Sequence, residues 1–131
     1  MIDHIGFAVA DLALSRGFYD QALPPLGIAV VMAVTEEMTG GHGAHLGHGR
    51  DGNPFFWIGS GKGPSSGVYV AFAAPDRASV YAFHKVALAA GGRDNGAADL
   101  RPEYHPGYYG AFVFDPDGKN IEAICHEGAG A

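Results

Sequence analysis

Large apolar and small side chains alternate at the start of the chain. In the stretch from Ile2 to Val9 the side chains alternate: Ile5, Phe7 and Val9 point one way, and His4, Gly6 and Ala8 point the other. This period of two predicts a β-strand with one apolar face and one face of small residues that carries a histidine. Asp11 is then placed to cap a helix, whose apolar residues recur every four positions.

The pattern after this helix predicts three further strands. Pro24 and Pro25 end the helix, and a valine-rich strand follows over residues 28–34. Turn residues at 50–54 separate a strand at about 44–48 from one at 55–58, and we expect these two to form a hairpin. The first half of the chain is therefore predicted to be β-α-β-β-β.

The chain repeats this pattern with an offset of 65 residues. Residues 3–23 and 68–88 share seven identities without a gap, among them Asp11 with Asp76 and Phe18 with Phe83. The repeat predicts a strand at 68–74, a helix capped by Asp76, one short strand and a loop within 93–107, and strands at 108–114 and 120–126. We interpret the chain as one domain of two modules, 1–62 and 63–131, with a linker-like stretch at 59–66 and a frayed tail at 127–131.

Composition and charge exclude several classes of partner. The chain has 131 residues, 47% of them hydrophobic, which is enough for one buried core. The net charge is −6 with eight Lys and Arg, and because there is no basic cluster we expect neither nucleic acid nor a membrane surface as partner. No signal peptide or membrane-spanning segment is predicted, and one cysteine, Cys125, fits a reducing cytoplasm.

Glu122 lies in an otherwise apolar predicted strand, where a carboxylate costs free energy unless it is paired or bound to a cation. Its counterpart in the first module is Trp57, just as Tyr69 is the counterpart of His4. Of these four equivalent positions, His4 and Glu122 are competent metal ligands. The residues that share a face with His4 and Tyr69 are small. Because small side chains leave space above the sheet, they predict a cavity on this face.

These features resemble the vicinal oxygen chelate superfamily, which includes glyoxalase I, extradiol dioxygenases, and bleomycin and fosfomycin resistance proteins. The resemblance rests on the two β-α-β-β-β units, the opening Asp-His-Ile-Gly-Phe, the turn at 115–118 and the Asn-Ile-Glu that ends at Glu122. It implies an α+β fold in which the two modules form one cupped mixed β-sheet, with helices on the convex face. It also implies a homodimer.

The resemblance implies a metal site, and this sequence departs from its usual ligands. His4 and Glu122 would be ligands, but Tyr69 stands where metalloenzymes of the family have histidine, and Trp57 where glyoxalase I has glutamate. A divalent ion (Fe, Ni, Zn or Mn) would thus be held by His4, Glu122 and a third ligand, which would be either Tyr69 as phenolate or a loop histidine. Two alternatives remain: a buried hydrogen-bonded pair of His4 and Glu122 in a metal-free cup, and metal-free catalysis with Glu122 as general base.

Two functions follow as expectations. One is a metal-dependent glyoxalase-type or dioxygenase-type enzyme acting on a small oxygenated or aromatic molecule, with Glu122 and His105 in catalysis. The resemblance places the loop that carries Arg101, Tyr104 and His105 at the rim of the cup, and in such an enzyme these residues would contact the substrate. The alternative is that this loop is an ordinary solvated surface loop. The other function is metal-free sequestration of an aromatic or antibiotic-like molecule, with these stacking surfaces: Phe55, Trp57, Tyr69 and Tyr109.

Overall fold

The computed structural model describes residues 1–61 and 68–126. The predicted module boundary at 62/63, most of the predicted linker and the tail at 127–131 lie outside these residues, and Gly59 and Ser60 of the predicted linker belong to a strand. Neither helix has the length and apolarity that a membrane crossing requires, as far as the described residues extend. The elements are β1 (Ile5–Val9), α1 (Leu12–Ala22), a 3-10 turn (Pro24–Leu26), β2 (Ala29–Val34), β3 (His45–Arg50), β4 (Asn53–Ser60), β5 (Tyr69–Ala73), α2 (Arg77–Ala89), β6 (Arg93–Leu100), β7 (Tyr109–Phe114) and β8 (Asn120–Cys125).

The strands form two four-stranded sheets, one from each module. Their orders are β1-β4-β3-β2 and β5-β8-β7-β6, so the predicted pair of β-α-β-β-β modules is confirmed. In each sheet the first and last strands of the module are parallel and the other neighbours are antiparallel. The expected cupped sheet is thus divided at its middle, because β1 and β5 are each the edge of their own sheet.

The registers show the duplication residue by residue. Gly6 pairs with Trp57 across β1 and β4, and Ala71 pairs with Glu122 across β5 and β8, which is the same pair shifted by 65. The helix starts repeat as well, because the carboxylates of Asp11 and Asp76 each accept a hydrogen bond from the backbone N–H three residues later. Such caps satisfy donors that the first turn of a helix leaves free.

The two modules share one core. The rings of Phe56 and Phe72 meet edge to face with centroids 5.1 Å apart, and α1 packs against α2. The buried Tyr19 hydroxyl of α1 donates a 2.7 Å hydrogen bond to Asp115, in the turn before β8. Burial and the nearby Asp115 carboxylate raise the pKa of Tyr19, which keeps this phenol a neutral donor.

Because the helix-facing sides of both sheets are used in this core, the opposite sides are open. We call the open side of the β1-β4-β3-β2 sheet the first face, and that of the β5-β8-β7-β6 sheet the second face. Gly6 on the first face and Ala71 on the second are exposed, whereas Phe7 and Phe72, one position further along each strand, are buried. The alternation in the sequence therefore predicted correctly which side of each first strand is buried.

His48 is an exception to the apolar core. It lies on β3, fully buried against the rings of Tyr19 and Phe56. In the described part of the chain neither ring nitrogen has a hydrogen-bond partner, and the Asp20 carboxylate, 3.9 Å from Nε2, is beyond hydrogen-bond distance. Burial lowers the pKa of His48, partly opposed by the negative charge of Asp20.

This buried imidazole predicts a loss of stability in acid. The unfolded chain takes up a proton at His48 as the pH falls through the ordinary histidine range, near 6.5, whereas the folded chain resists that proton. We expect His48→Phe to reduce the loss of unfolding free energy between about pH 7 and pH 5, measured by urea titration, with a change below about 1.5 kcal/mol at pH 7.5. His42→Ala, at an exposed histidine, is the control. If His48→Phe loses as much unfolding free energy in acid as wild type and His42→Ala do, the assignment of this loss to His48 is contradicted.

Candidate functional site

The first face carries Trp57 on a floor of glycines. A Cβ added at Gly47 would lie 2.9 Å from two indole carbons, and one added at Gly6 would lie 2.9 Å from the Trp57 Cβ. These distances are shorter than carbon atoms tolerate, so the indole lies against the sheet where a side chain would otherwise stand. His45 lies in the same way over Gly59.

Two cavities flank this indole. One, of about 630 Å³, is lined by His4, Met32, His45, Pro54 and Trp57 among others. A smaller one, of about 250 Å³, lies on the side of Ala8 and Gly59. All lining residues of both cavities come from the first module. The small residues thus leave space as expected. These two cavities lie on the first module, and a further cavity of about 700 Å³ is lined by residues of both modules, among them His4, Ala71 and Ala73.

The donors that the resemblance implied for a metal do not converge. His4 is exposed, and its Nδ1 lies 2.8 Å from the Asp3 carboxylate. Tyr69 is 69% exposed, so its phenol is well hydrated. Within residues 1–61 and 68–126, no three His, Cys, Asp or Glu side chains are close enough to hold one ion. The His, Cys, Asp and Glu side chains of these residues therefore supply no three-donor site within one chain, and a ligand role for Tyr69 stays a prediction.

Glu122 has a defined hydrogen-bonding environment on the second face. It is only 9% exposed, and its carboxyl accepts hydrogen bonds from the Asn120 amide at 2.7 Å and from the Tyr108 hydroxyl at 3.4 Å. Asn120 in turn accepts a 2.9 Å hydrogen bond from Asn95. His4 is not among these partners, so the predicted His4–Glu122 hydrogen bond is not formed. Burial raises the pKa of Glu122 although both hydrogen bonds oppose the shift.

The predicted rim residues gather beside Glu122. The ring of Tyr108 contacts those of Tyr104 and His105, at centroid distances of 4.9 and 5.3 Å. The Arg101 guanidinium lies 5.0 Å from the centre of the Phe112 ring, and Phe112 is the direct cross-strand neighbour of Glu122. Arg101, Tyr104 and His105 are thus close to the carboxyl that the sequence singled out.

Two predicted stacking residues point elsewhere. Tyr109 lies half-buried on the helix side, with the Arg77 guanidinium 5.0 Å from its ring centre. Neighbouring residues of a strand face opposite ways, so Tyr109 does not share the second face with Glu122, and its role as a stacking surface stays a prediction. Phe55 packs against the core and beneath Arg50, where the β3–β4 pairing shifts register after His48. Of the predicted stacking set, Trp57 and Tyr69 remain on open faces.

Sequence reasoning missed Tyr108, Asn120 and His126. Asn120 was recognisable, because it lies two residues before Glu122 in the same predicted strand and so shares its face. Tyr108 was not, since its role depends on how the loop at 101–108 returns to the sheet. His126 follows β8, and its Nδ1 lies 2.7 Å from Nε2 of His105.

Comparisons with known proteins agree with this architecture. A family model described as the Glyoxalase/Bleomycin resistance protein/Dioxygenase superfamily matches residues 1–123. A glyoxalase/bleomycin resistance protein from Albidiferax ferrireducens T118 is 26% identical, with a TM-score of 0.76 over 95% of this chain and 98% of that one. A search of curated proteins found no match.

Two more distant structures share the fold. A glyoxylase/bleomycin resistance protein/dioxygenase domain from Frankia sp. EAN1pec is 14% identical, with a TM-score of 0.73 over 97% of this chain and 98% of that one. Glyoxalase I from Zea mays is 20% identical, with a TM-score of 0.68; the match covers 97% of this chain and 44% of the maize chain.

The raised pKa of Glu122 predicts how stability depends on pH. A carboxyl whose pKa is raised by folding stabilises the folded chain while protonated, and this contribution is lost as the pH rises through the folded pKa. Glu122→Gln should therefore gain unfolding free energy relative to wild type as the pH rises from 4 to 8. The gain should be about 1.4 kcal/mol for each tenfold decrease that folding causes in the acid dissociation constant of Glu122. Glu103→Gln, at an exposed position, is the control, and a wild-type-minus-variant difference that is flat with pH refutes the prediction.

Proposed function

The chain belongs to the glyoxalase, bleomycin resistance protein and dioxygenase superfamily, and on this premise we propose that it binds a small planar aromatic molecule against Trp57. The observation that carries the proposal is the indole that lies against the sheet over Gly47. A large aromatic surface fixed before binding loses little conformational freedom when a ligand stacks on it. The adjoining cavity of about 630 Å³ is within the range of small-molecule pockets.

The second face supplies the polar part of the proposed site. Glu122 offers hydrogen-bond acceptors, and the Arg101 guanidinium and the Tyr104 hydroxyl offer donors around Tyr108. A ligand that stacks on Trp57 and reaches these groups has an aromatic ring with hydroxyl, amide or amino substituents. Such a molecule fits a sequestering protein, which needs recognition but no chemical step.

A second candidate is an acid–base enzyme that uses Glu122. The nearly buried carboxyl with a raised pKa favours this function, because a general acid or base is most effective when its pKa is near the working pH. A metal-dependent enzyme using Fe, Ni, Zn or Mn has less support. No three His, Cys, Asp or Glu side chains of the described residues group around one ion, so His4 and Glu122 would need further donors.

We also propose that two copies of the chain form the complete site. Trp57 and Glu122 lie on separate sheets, and each chain leaves its first and second faces open. In a two-fold dimer, the first face of one copy meets the second face of its partner, and the reverse contact follows by symmetry. A small-molecule ligand then lies between the copies.

The single free cysteine, which is buried, fits a location in the cytoplasm.

Trp57 is the one tryptophan of the chain, so its emission reports directly on ligand stacking. We expect saturable quenching by 2-naphthol and none by cyclohexanol. In calorimetry, Trp57→Leu should weaken 2-naphthol binding about 3- to 10-fold, the usual worth of an aromatic pair. Gly47→Ala, which displaces the indole, should weaken it too, whereas Tyr81→Leu, on an exposed tyrosine of α2, should not. Quenching that never saturates, or equal losses in Trp57→Leu and Tyr81→Leu, argues against the site.

Mixing two defective variants tests the shared site. Trp57→Leu and Glu122→Ala chains each lack one half of it, and a mixed dimer contains one site with both halves intact. After unfolding and refolding together, roughly a quarter of the sites should regain wild-type affinity for 2-naphthol. A site built within one chain gives no recovery, and sedimentation of the mixture as monomer alone would contradict the dimer.

A further inference from the structure

The loop between β6 and β7, residues 101–108, is closed at its base by backbone hydrogen bonds. Arg101 N–H donates to the Tyr108 carbonyl at 2.7 Å, and Tyr104 N–H donates to the Arg101 carbonyl at 3.0 Å. Tyr108 N–H donates to the His105 carbonyl at 3.2 Å. These bonds fix the shape of the loop but do not attach its tip to the rest of the protein.

His105 makes that attachment. Its Nδ1 lies 2.7 Å from the Pro106 carbonyl oxygen, and its Nε2 lies 2.7 Å from Nδ1 of His126. A carbonyl oxygen only accepts, so Nδ1 of His105 carries its proton. In the neutral pair, Nε2 of His105 therefore accepts a hydrogen bond from the N–H at Nδ1 of His126.

The geometry of the two rings is that of a hydrogen bond. Their planes differ by 16° and their centroids are 4.9 Å apart, whereas the facing nitrogens are only 2.7 Å apart. A centroid separation so much longer than the nitrogen separation places the two nitrogens between the rings, rather than one ring over the other. His126 follows directly after β8, so this bond joins the loop tip to the strand that carries Glu122.

The loop tip also covers Glu122 through Tyr108. The edge-to-face contacts of the Tyr108 ring with His105 and His126 have centroid distances of 5.3 and 5.5 Å. The hydroxyl at the far end of this ring donates to Glu122. Movement of His105 away from His126 would remove two of the contacts that hold Tyr108 in place.

We propose that the His105–His126 hydrogen bond is a latch that holds the loop at 101–108 over Glu122 and opens when both imidazoles are protonated. One added proton still leaves an N–H···N bond between the rings. A second proton places two N–H groups and two positive charges face to face, which removes the bond. Because acidification favours protonation of both imidazoles, it favours the open state of the latch.

Charged and polar side chains surround the pair in sequence and in contact. The same loop carries Arg101 and the exposed Glu103. The Tyr108 ring contacts both imidazoles, and Tyr104 contacts Tyr108. From β8, Glu122 reaches the pair only through Tyr108. The latch concerns the protein without ligand, so it stands or falls independently of the proposed aromatic site.

Amide hydrogen exchange measured by NMR on the full chain tests the latch. We expect protection factors of the Tyr104 and Tyr108 amides to fall about 2- to 10-fold from pH 7.5 to pH 5, the loss expected from one hydrogen bond of ordinary strength. His126→Phe keeps a ring but has no donor, so it should show the low protection already at pH 7.5 and no further fall. His42→Phe, at an exposed histidine outside the loop, is the matched control.

The Gly41 amide, which donates to Glu36 in a turn of the first module, reports any general loss of stability in acid. Equal protection in wild type and His126→Phe at pH 7.5, or the same pH dependence at Tyr104, Tyr108 and Gly41, overturns the latch. If His126→Phe does not fold, the wild-type pH series decides. Protection of Tyr104 and Tyr108 that does not change between pH 7.5 and pH 5 then refutes the proposal.

Discussion

The architecture depends on one constraint, which is that both modules bury their helix-facing sides in the same core. Each sheet has only one apolar side, and the contact of Phe56 with Phe72 joins these two sides across the module boundary. The buried hydrogen bond from Tyr19 to Asp115 fixes their relative position, because breaking it would leave polar groups unpaired inside the protein. Once the apolar sides are used in this way, the opposite sides have to remain open.

The open faces explain why the candidate site appears as two halves. Trp57 and Glu122 occupy equivalent positions of the duplication, so the same strand geometry turns both side chains away from the core. Their chemistry has diverged: the first face offers an aromatic surface in a wide cavity, and the second offers a nearly buried carboxyl with fixed donors. A ligand that uses both must lie between two faces that one chain keeps on separate sheets.

Much of this could be predicted from the sequence, because it depends on local or repeated pattern. The alternation of apolar and small residues predicted the buried side of β1 and β5, and the offset of 65 predicted the equivalence of Gly6–Trp57 with Ala71–Glu122. What could not be predicted depends on contacts between distant residues. The sequence has no periodic signal for the register shift that displaces Phe55. It has none either for the path of the loop that brings Tyr108 to Glu122. His48, whose ring nitrogens have no hydrogen-bond partner among the described residues, is a polar exception in the core that the apolar pattern did not predict.

The two modules have exchanged large and small residues at matching cross-strand pairs. In the first module Gly47 faces Trp57, and in the second the equivalent pair is Phe112 and Glu122. His45 faces Gly59 in the first, and Gly110 faces Ile124 in the second. A pleated sheet brings directly opposed side chains within contact, so a bulky residue on one strand requires room on its neighbour. Glycine on β3 thus lets Trp57 lie flat, whereas Phe112 on β7 covers Glu122 and supports Arg101. The stacking surface and the shielded carboxyl are therefore two solutions to one packing problem, reached from the same ancestral strand pair.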